Sequence, residues 1–129
     1  LDGSSAGSYL RYDPKTGGVY YDASSRRYKN NIQDLQDDFS AILRARPRKY
    51  VDRTTEMTDI GYIAEEFDEL GLGMLVTYDA QGRPDGLKYE KVPVYILEIV
   101  KKQQEAIAAL LAHNQELERR LRALEQRMR

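Results

Sequence analysis

The chain has 129 residues with no cysteine, no tryptophan, one histidine, two phenylalanines and four prolines. Without cysteine there is no disulfide framework, no thiolate metal site and no cysteine nucleophile. No apolar run approaches the roughly 18 residues of a membrane-crossing helix, and Leu1-Asp2-Gly3-Ser4 carries neither the basic nor the apolar segment of a secretory leader. An excess of one charge is missing too. Lys and Arg number 20 against 21 Asp and Glu, a formal net charge of −1. Bulk electrostatics therefore point to neither a nucleic-acid binder nor a membrane-surface protein. The length suits one small domain of about 100 to 150 residues with an appendage, which excludes a two-domain enzyme. The missing initiator Met reads as a fragment of a longer chain.

What is abundant is tyrosine, ten residues of it. That favours half-buried strands and interfaces, where a ring is covered while its hydroxyl stays wet. Leu1 to Gly7 is small and polar, a linker from an upstream region. Tyr9 to Tyr12 and Val19 to Tyr21 flank Asp13-Pro14-Lys15-Thr16-Gly17-Gly18, the pattern of a β-hairpin. Ile32, Leu35, Phe39, Ile42 and Leu43 have helical spacing, which predicts a helix ended by Arg46-Pro47. Short strands are expected at Arg48 to Asp52 and Asp59 to Ala64, and a short helix at Glu65 to Leu70 stopped by Gly71. A second hairpin is expected from Leu75 to Tyr78 and Leu87 to Tyr89 across a turn-rich segment. The middle of the chain is thus a small α+β unit.

From Pro93 onward the chain has no further Gly or Pro and is dominated by strong helix formers. Val100, Ile107, Asn114, Leu121 and Met128 fall at heptad position a, and Ile96, Gln103, Leu110, Leu117 and Leu124 at d. This predicts one helix roughly 55 Å long carrying a coiled-coil seam, longer than the small unit can cover, so an oligomer is expected. Leu97, Ile99 and Leu111 widen the stripe in the first half, where the helix either packs on its own α+β unit or enters a larger bundle. Arg120 with Glu125, and a charged His113 with Glu118, are candidate pairs between chains. Heptad rules leave dimer and trimer open. Glu65 and Glu66 are neighbours that point apart on a helix, ordinary exposed charge rather than a metal or acid–base pair. The Arg119-Arg120-Leu121-Arg122 run is interleaved with Glu116, Glu118 and Glu125, which argues against nucleic acid.

Ser24, Ser25, Arg27, Lys29, Asn31 and Ile32 resemble the opening signature of the intramolecular chaperone domain first defined at the C-terminus of phage endosialidase tailspikes. Three further matches follow in the family's order: Arg46-Pro47-Arg48-Lys49-Tyr50, then Ile60-Gly61-Tyr62-Ile63-Ala64-Glu65-Glu66, then Leu87-Lys88-Tyr89-Glu90-Lys91-Val92-Pro93. The resemblance covers about residues 24–129. Tyr62 stands where some members carry His, so no role is carried onto it.

The resemblance implies a homotrimeric folding aid, attached to a phage tail fibre or tailspike, that cuts itself off before Ser24, here at the Ala23–Ser24 bond. Its partners would be two further copies and the upstream fibre domain of the same chain, with no nucleic acid, membrane, metal or cofactor. It would fold as a tail precursor in the host cytoplasm. The implied domains are residues 1–23 as the end of the fibre region, 24–92 as the α+β chaperone unit and 93–129 as the coiled-coil helix. The residues agree with the chemistry. His113 lies in the coil, far from Ser24 in sequence, so a Ser-Lys dyad of Ser24 and Lys29 is expected rather than a Ser-His-Asp triad. Lysine acts as a base only when neutral, which requires burial or neighbouring cations such as Arg26 or Arg27 to bring it down from about 10.4. A backbone amide or Asn31 is the candidate oxyanion donor and Arg27 a candidate orienting group, with helix capping the alternative role for Asn31. Two other readings stay open: a permanent trimerisation module without proteolysis, and the oligomerisation domain of a membrane-released transcription factor.

Overall fold

The computed structural model describes residues 10–21 and 23–129; the linker at residues 1–7 and the Tyr9 start of the first strand lie outside the described residues. The chain divides into two compact units, one through Gln36 and one from Asp37 to Arg129. In the first, β1 (Leu10–Tyr12) pairs antiparallel with β2 (Val19–Tyr21), placing Leu10 opposite Tyr21 and Tyr12 opposite Val19. Asp13 organises the turn. Its carboxylate accepts the Lys15 N–H and the Thr16 hydroxyl, both at 2.9 Å, and its carbonyl accepts the N–H of Gly17. Gly17 has φ +73°, a left-handed conformation that glycine adopts without steric cost. The Tyr20 ring folds back over Gly18, so that a Cβ there would lie 2.5 Å from the Tyr20 hydroxyl and the ring would have to turn aside.

The helix predicted from Ile32 to Arg46 does not form. Irregular chain runs to Asp38, followed by a 3₁₀ helix, Phe39–Arg44. Asn31 has φ +52°, outside the right-handed helical region, and the Asp37 carboxylate accepts the N–H of Asp38 at 2.8 Å while the Ser40 hydroxyl donates to Asp38. These local side-chain bonds compete with a helical ladder. Ile32 and Leu35, expected on the buried face, are 64% and 42% exposed.

The second unit packs short elements around one core. Strand β3 (Arg48–Val51) pairs antiparallel with β4 (Thr58–Gly61), as predicted in kind, though β4 stops three residues early. The reason is Tyr62, whose N–H donates to the Tyr89 hydroxyl at 2.9 Å instead of continuing a ladder. Tyr89 in turn donates to the Tyr62 carbonyl at 3.3 Å. Gly61 makes room for this interlock, since a Cβ would come 2.7 Å from the Tyr89 oxygen. Helix α1 (Ala64–Glu69) ends in a Schellman turn: Gly71, at φ +78°, donates to Asp68, and Leu72 donates to Phe67, both at 3.0 Å. That turn drives Leu72 and Phe67 together into the core.

Strand β5 (Val76–Tyr78) pairs with β6 (Pro84–Leu87), so the returning strand comes earlier than the expected Leu87 to Tyr89. Asp79 closes the turn by accepting the N–H groups of Gln81 and Arg83, and Tyr89 is already committed to Tyr62. Helix α2 (Val92–Arg127) then runs 36 residues, with Pro93 in its first turn. Tyr95 and Ile99 are buried against Ala41, Ile42, Leu75 and Val76 in the single core. The Tyr95 ring meets Phe39 edge-on with centroids 5.1 Å apart, and its hydroxyl donates to Asp37. Burial, aided by that carboxylate, raises the Tyr95 hydroxyl well above the usual tyrosine range. The expected packing of α2 on its own unit is thus made by Ile99 and Tyr95, whereas Leu97 and Leu111 are exposed.

One pair departs from the reading of Glu66 as plain exposed charge. Arg48 Nε donates to both Glu66 carboxylate oxygens, at 2.8 and 3.0 Å, tying β3 to α1. The Arg48 guanidinium holds the Glu66 carboxyl below the usual glutamate range. A carboxyl lowered in the folded state stabilises it above the unfolded pKa of about 4.3, and that contribution is lost as pH falls through the folded value. Urea midpoints measured at pH 6 and pH 3 should therefore fall less between the two for Glu66→Gln than for wild type. Gly61→Ala should lower stability by about 1–3 kcal/mol through overpacking. Because it acts by displacing Tyr89, its loss and that of Tyr89→Phe should sum to more than the loss measured in the double variant.

Candidate functional site

Ser24 and Lys29 both lie in the first unit, on the segment that follows β2. Five residues of extended chain would separate their Cα atoms by roughly 17 Å. A 3₁₀ turn at Arg26–Tyr28 shortens that span, with Tyr28 N–H donating to the Ser25 carbonyl and Lys29 N–H to the Arg26 carbonyl, each at 3.0 Å. The folded-back lysine reaches the serine: Lys29 Nζ donates to Ser24 Oγ at 2.8 Å. Both side chains are exposed.

The other sequence-predicted residues sit around this contact in distinct ways. Ala23, on the carbonyl side of the bond before Ser24, is half-buried. It lines a cavity of about 490 Å³ together with residues of the hairpin. The Arg27 guanidinium lies over the Tyr28 ring, 4.7 Å from its centroid, a cation–π contact within the turn itself. Asn31 occupies the left-handed bend, a conformation asparagine tolerates, and no helix begins there, so the alternative role as a helix cap does not apply. Its side chain makes no hydrogen bond among the described residues. His113 is exposed on α2, in the second unit.

A lysine ammonium that donates to a serine hydroxyl at 2.8 Å is within proton-transfer distance of it, and loss of one proton from nitrogen would invert the bond so that the hydroxyl donates. Serine is also the residue whose own nitrogen belongs to the preceding peptide bond. The serine hydroxyl, the serine nitrogen and the lysine amine thus sit on one stretch of six residues, 24–29. Among the described residues no cluster of His, Cys, Asp or Glu is placed to hold a metal ion, and no helix is long and apolar enough to cross a membrane. Sequence reasoning missed two contributors. The hairpin wall beside Ala23 depends on how the Tyr20 ring folds over Gly18, which no motif announces. The Arg48–Glu66 tie could have been suspected, because both residues belong to matched motifs.

No curated protein and no solved structure matches the chain. A family model does match, over residues 24–77, and its description is chaperone of endosialidase. The match opens on Ser24 and spans Lys29, both strands of the β3–β4 pair and α1; the Leu87 to Pro93 motif lies beyond it. Residues 24–77, the segment that carries Ser24, Lys29 and the Arg48–Glu66 tie, are thus similar to the endosialidase chaperone family.

Proposed function

We propose that the chain is an intramolecular chaperone that assembles a phage tail fibre or tailspike as a homotrimer and then releases itself by cutting the Ala23–Ser24 bond. The observation that carries this reading is the 2.8 Å contact between Lys29 Nζ and Ser24 Oγ, at the residue where the family match begins. With Lys29 neutral, it takes the Ser24 Oγ proton as the oxygen bonds to the Ala23 carbonyl carbon. The tetrahedral centre then collapses, the C–N bond breaks, and Lys29 returns the proton to the leaving Ser24 amine. Residues 23 and 24 remain joined by an ester, which water hydrolyses to an Ala23 carboxylate and a free Ser24 hydroxyl. The products are an upstream chain ending at Ala23 and a released domain beginning at Ser24. The amine and the nucleophile leave on the same residue, so each chain turns over once.

Assembly supplies the timing. In the single chain Lys29 is exposed. Neighbouring chains that exclude water around the turn would favour the neutral amine. The seam for that assembly is the heptad face of α2, where Ile96, Val100, Ile107, Leu110, Leu117, Leu121 and Leu124 are each at least 43% exposed. An apolar stripe this long on an otherwise charged helix is supported by burial against copies of itself. Once cut, the fibre is held by its kinetic barrier to unfolding, with its chaperone gone. The tail precursor would fold in the host cytoplasm before this release.

Intact mass measured on freshly folded wild type should show a product starting at Ser24, absent from Ser24→Ala and from Lys29→Ala. An uncut wild type that is still trimeric would identify a permanent trimerisation module instead. Leu117→Asp, at the centre of the seam, should reduce the trimer to monomer in sedimentation velocity and slow cleavage with it; cleavage at full rate by a monomer would separate the two events.

A further inference from the structure

The β1–β2 hairpin lies outside the matched segment, yet it borders the bond that the proposed reaction breaks. Ala23 is half-buried between an exposed Tyr21 two residues before it and an exposed Ser24 after it. What borders Ala23 is a cavity of about 490 Å³ that it shares with Arg11, Tyr12, Asp13, Pro14, Tyr20 and Tyr21. One wall of this cavity is the Tyr20 ring. The Tyr20 ring lies so close over Gly18 that a single added carbon at residue 18 would meet it at 2.5 to 2.7 Å, and the turn beneath is pinned by the Asp13 carboxylate and the left-handed Gly17. Within β2, Tyr20 stands on one face and its neighbour Val19 on the other.

We propose that this hairpin is the acyl-side positioning element of the cleavage site: the Tyr20 wall, with Gly18 behind its ring, seats Ala23 and so presents its carbonyl to Ser24 Oγ. The inference rests on the self-cleavage reading and adds to it the half of the site that the dyad leaves undefined. Attack by Ser24 on the carbonyl before it closes a small ring through its own nitrogen, so Oγ and the planar Ala23–Ser24 peptide must be fixed relative to each other. Lys29 holds Oγ. Among the described residues, it is the hairpin that shares the cavity with Ala23. Tyr20 and Gly18 are positioning residues on the fibre side of the bond, and the processing unit extends upstream to β1.

The test uses the full chain and follows the rate at which the product starting at Ser24 appears by intact mass, with the oligomeric state of each variant measured alongside. Tyr20→Ala and Gly18→Val should slow cleavage by at least about tenfold, the scale expected when a reacting group is misplaced by a fraction of an ångström to an ångström. Tyr20→Phe, which keeps the ring, should restore the wild-type rate, and Val19→Ala, which weakens the same strand from its opposite face, should leave it unchanged. Cleavage of Tyr20→Ala at the wild-type rate would overturn the inference while leaving the dyad intact. Equal slowing by Val19→Ala would overturn it as well, by showing that strand pairing rather than the groove matters. A wild type that does not cut at all would overturn the self-cleavage reading and this inference together.

Discussion

Tyr95 is the side chain through which the compact unit of residues 37–129 is tied into one body. It is 1% exposed, its ring fills the space between the 3₁₀ helix and the start of α2, and its hydroxyl reaches Asp37 at the beginning of the unit. A buried phenol needs a partner for its O–H, and an aspartate at that point joins the first residues of the unit to the first turns of its last helix. Phe67, Leu72, Leu75 and Val76 complete the same core from α1 and the chain into β5. The interlock of Tyr89 with Tyr62 and the Arg48–Glu66 tie then fasten the β3–β4 pair, which contributes nothing to the buried core itself.

Much of this was legible in the sequence, for physical reasons that differ by element. Two of the three hairpins were signalled by turn chemistry, Asp13 to Gly18 and Asp79 to Gly82, because aspartate side chains that accept nearby N–H groups and glycines at positive φ act locally. The long helix was signalled by composition alone. Periodicity misled between Ile32 and Arg46: the apolar spacing suits a helix, but the covering partners exist only from Phe39 onward, and Asp37, Asp38 and Ser40 spend their side chains on the local backbone. Strand ends were misplaced where one tyrosine hydroxyl, sequence-distant by 27 residues, captures a backbone amide.

The site divides the same way. Ser24 and Lys29 were carried by resemblance, and spacing five apart would not by itself bring them into contact; the intervening 3₁₀ turn does. Arg27 was expected near the reaction and instead lies over its neighbour Tyr28. The hairpin wall beside Ala23 was invisible, since it arises from one ring lying over one glycine.

The placement of Tyr95 and Ile99 at the beginning of α2 also bears on the order in which the molecule is made. A chain emerging from the ribosome folds from its N-terminal side first. Residues 41 to 76 supply most of the core, yet they have nothing to close against until Tyr95 and Ile99 emerge behind them. The serine–lysine turn is thus synthesised early and the body downstream of it is completed late. A chain stalled before α2 would carry Ser24 and Lys29 without the fold that follows them, which places the synthesis of α2 ahead of any finished body downstream of the turn.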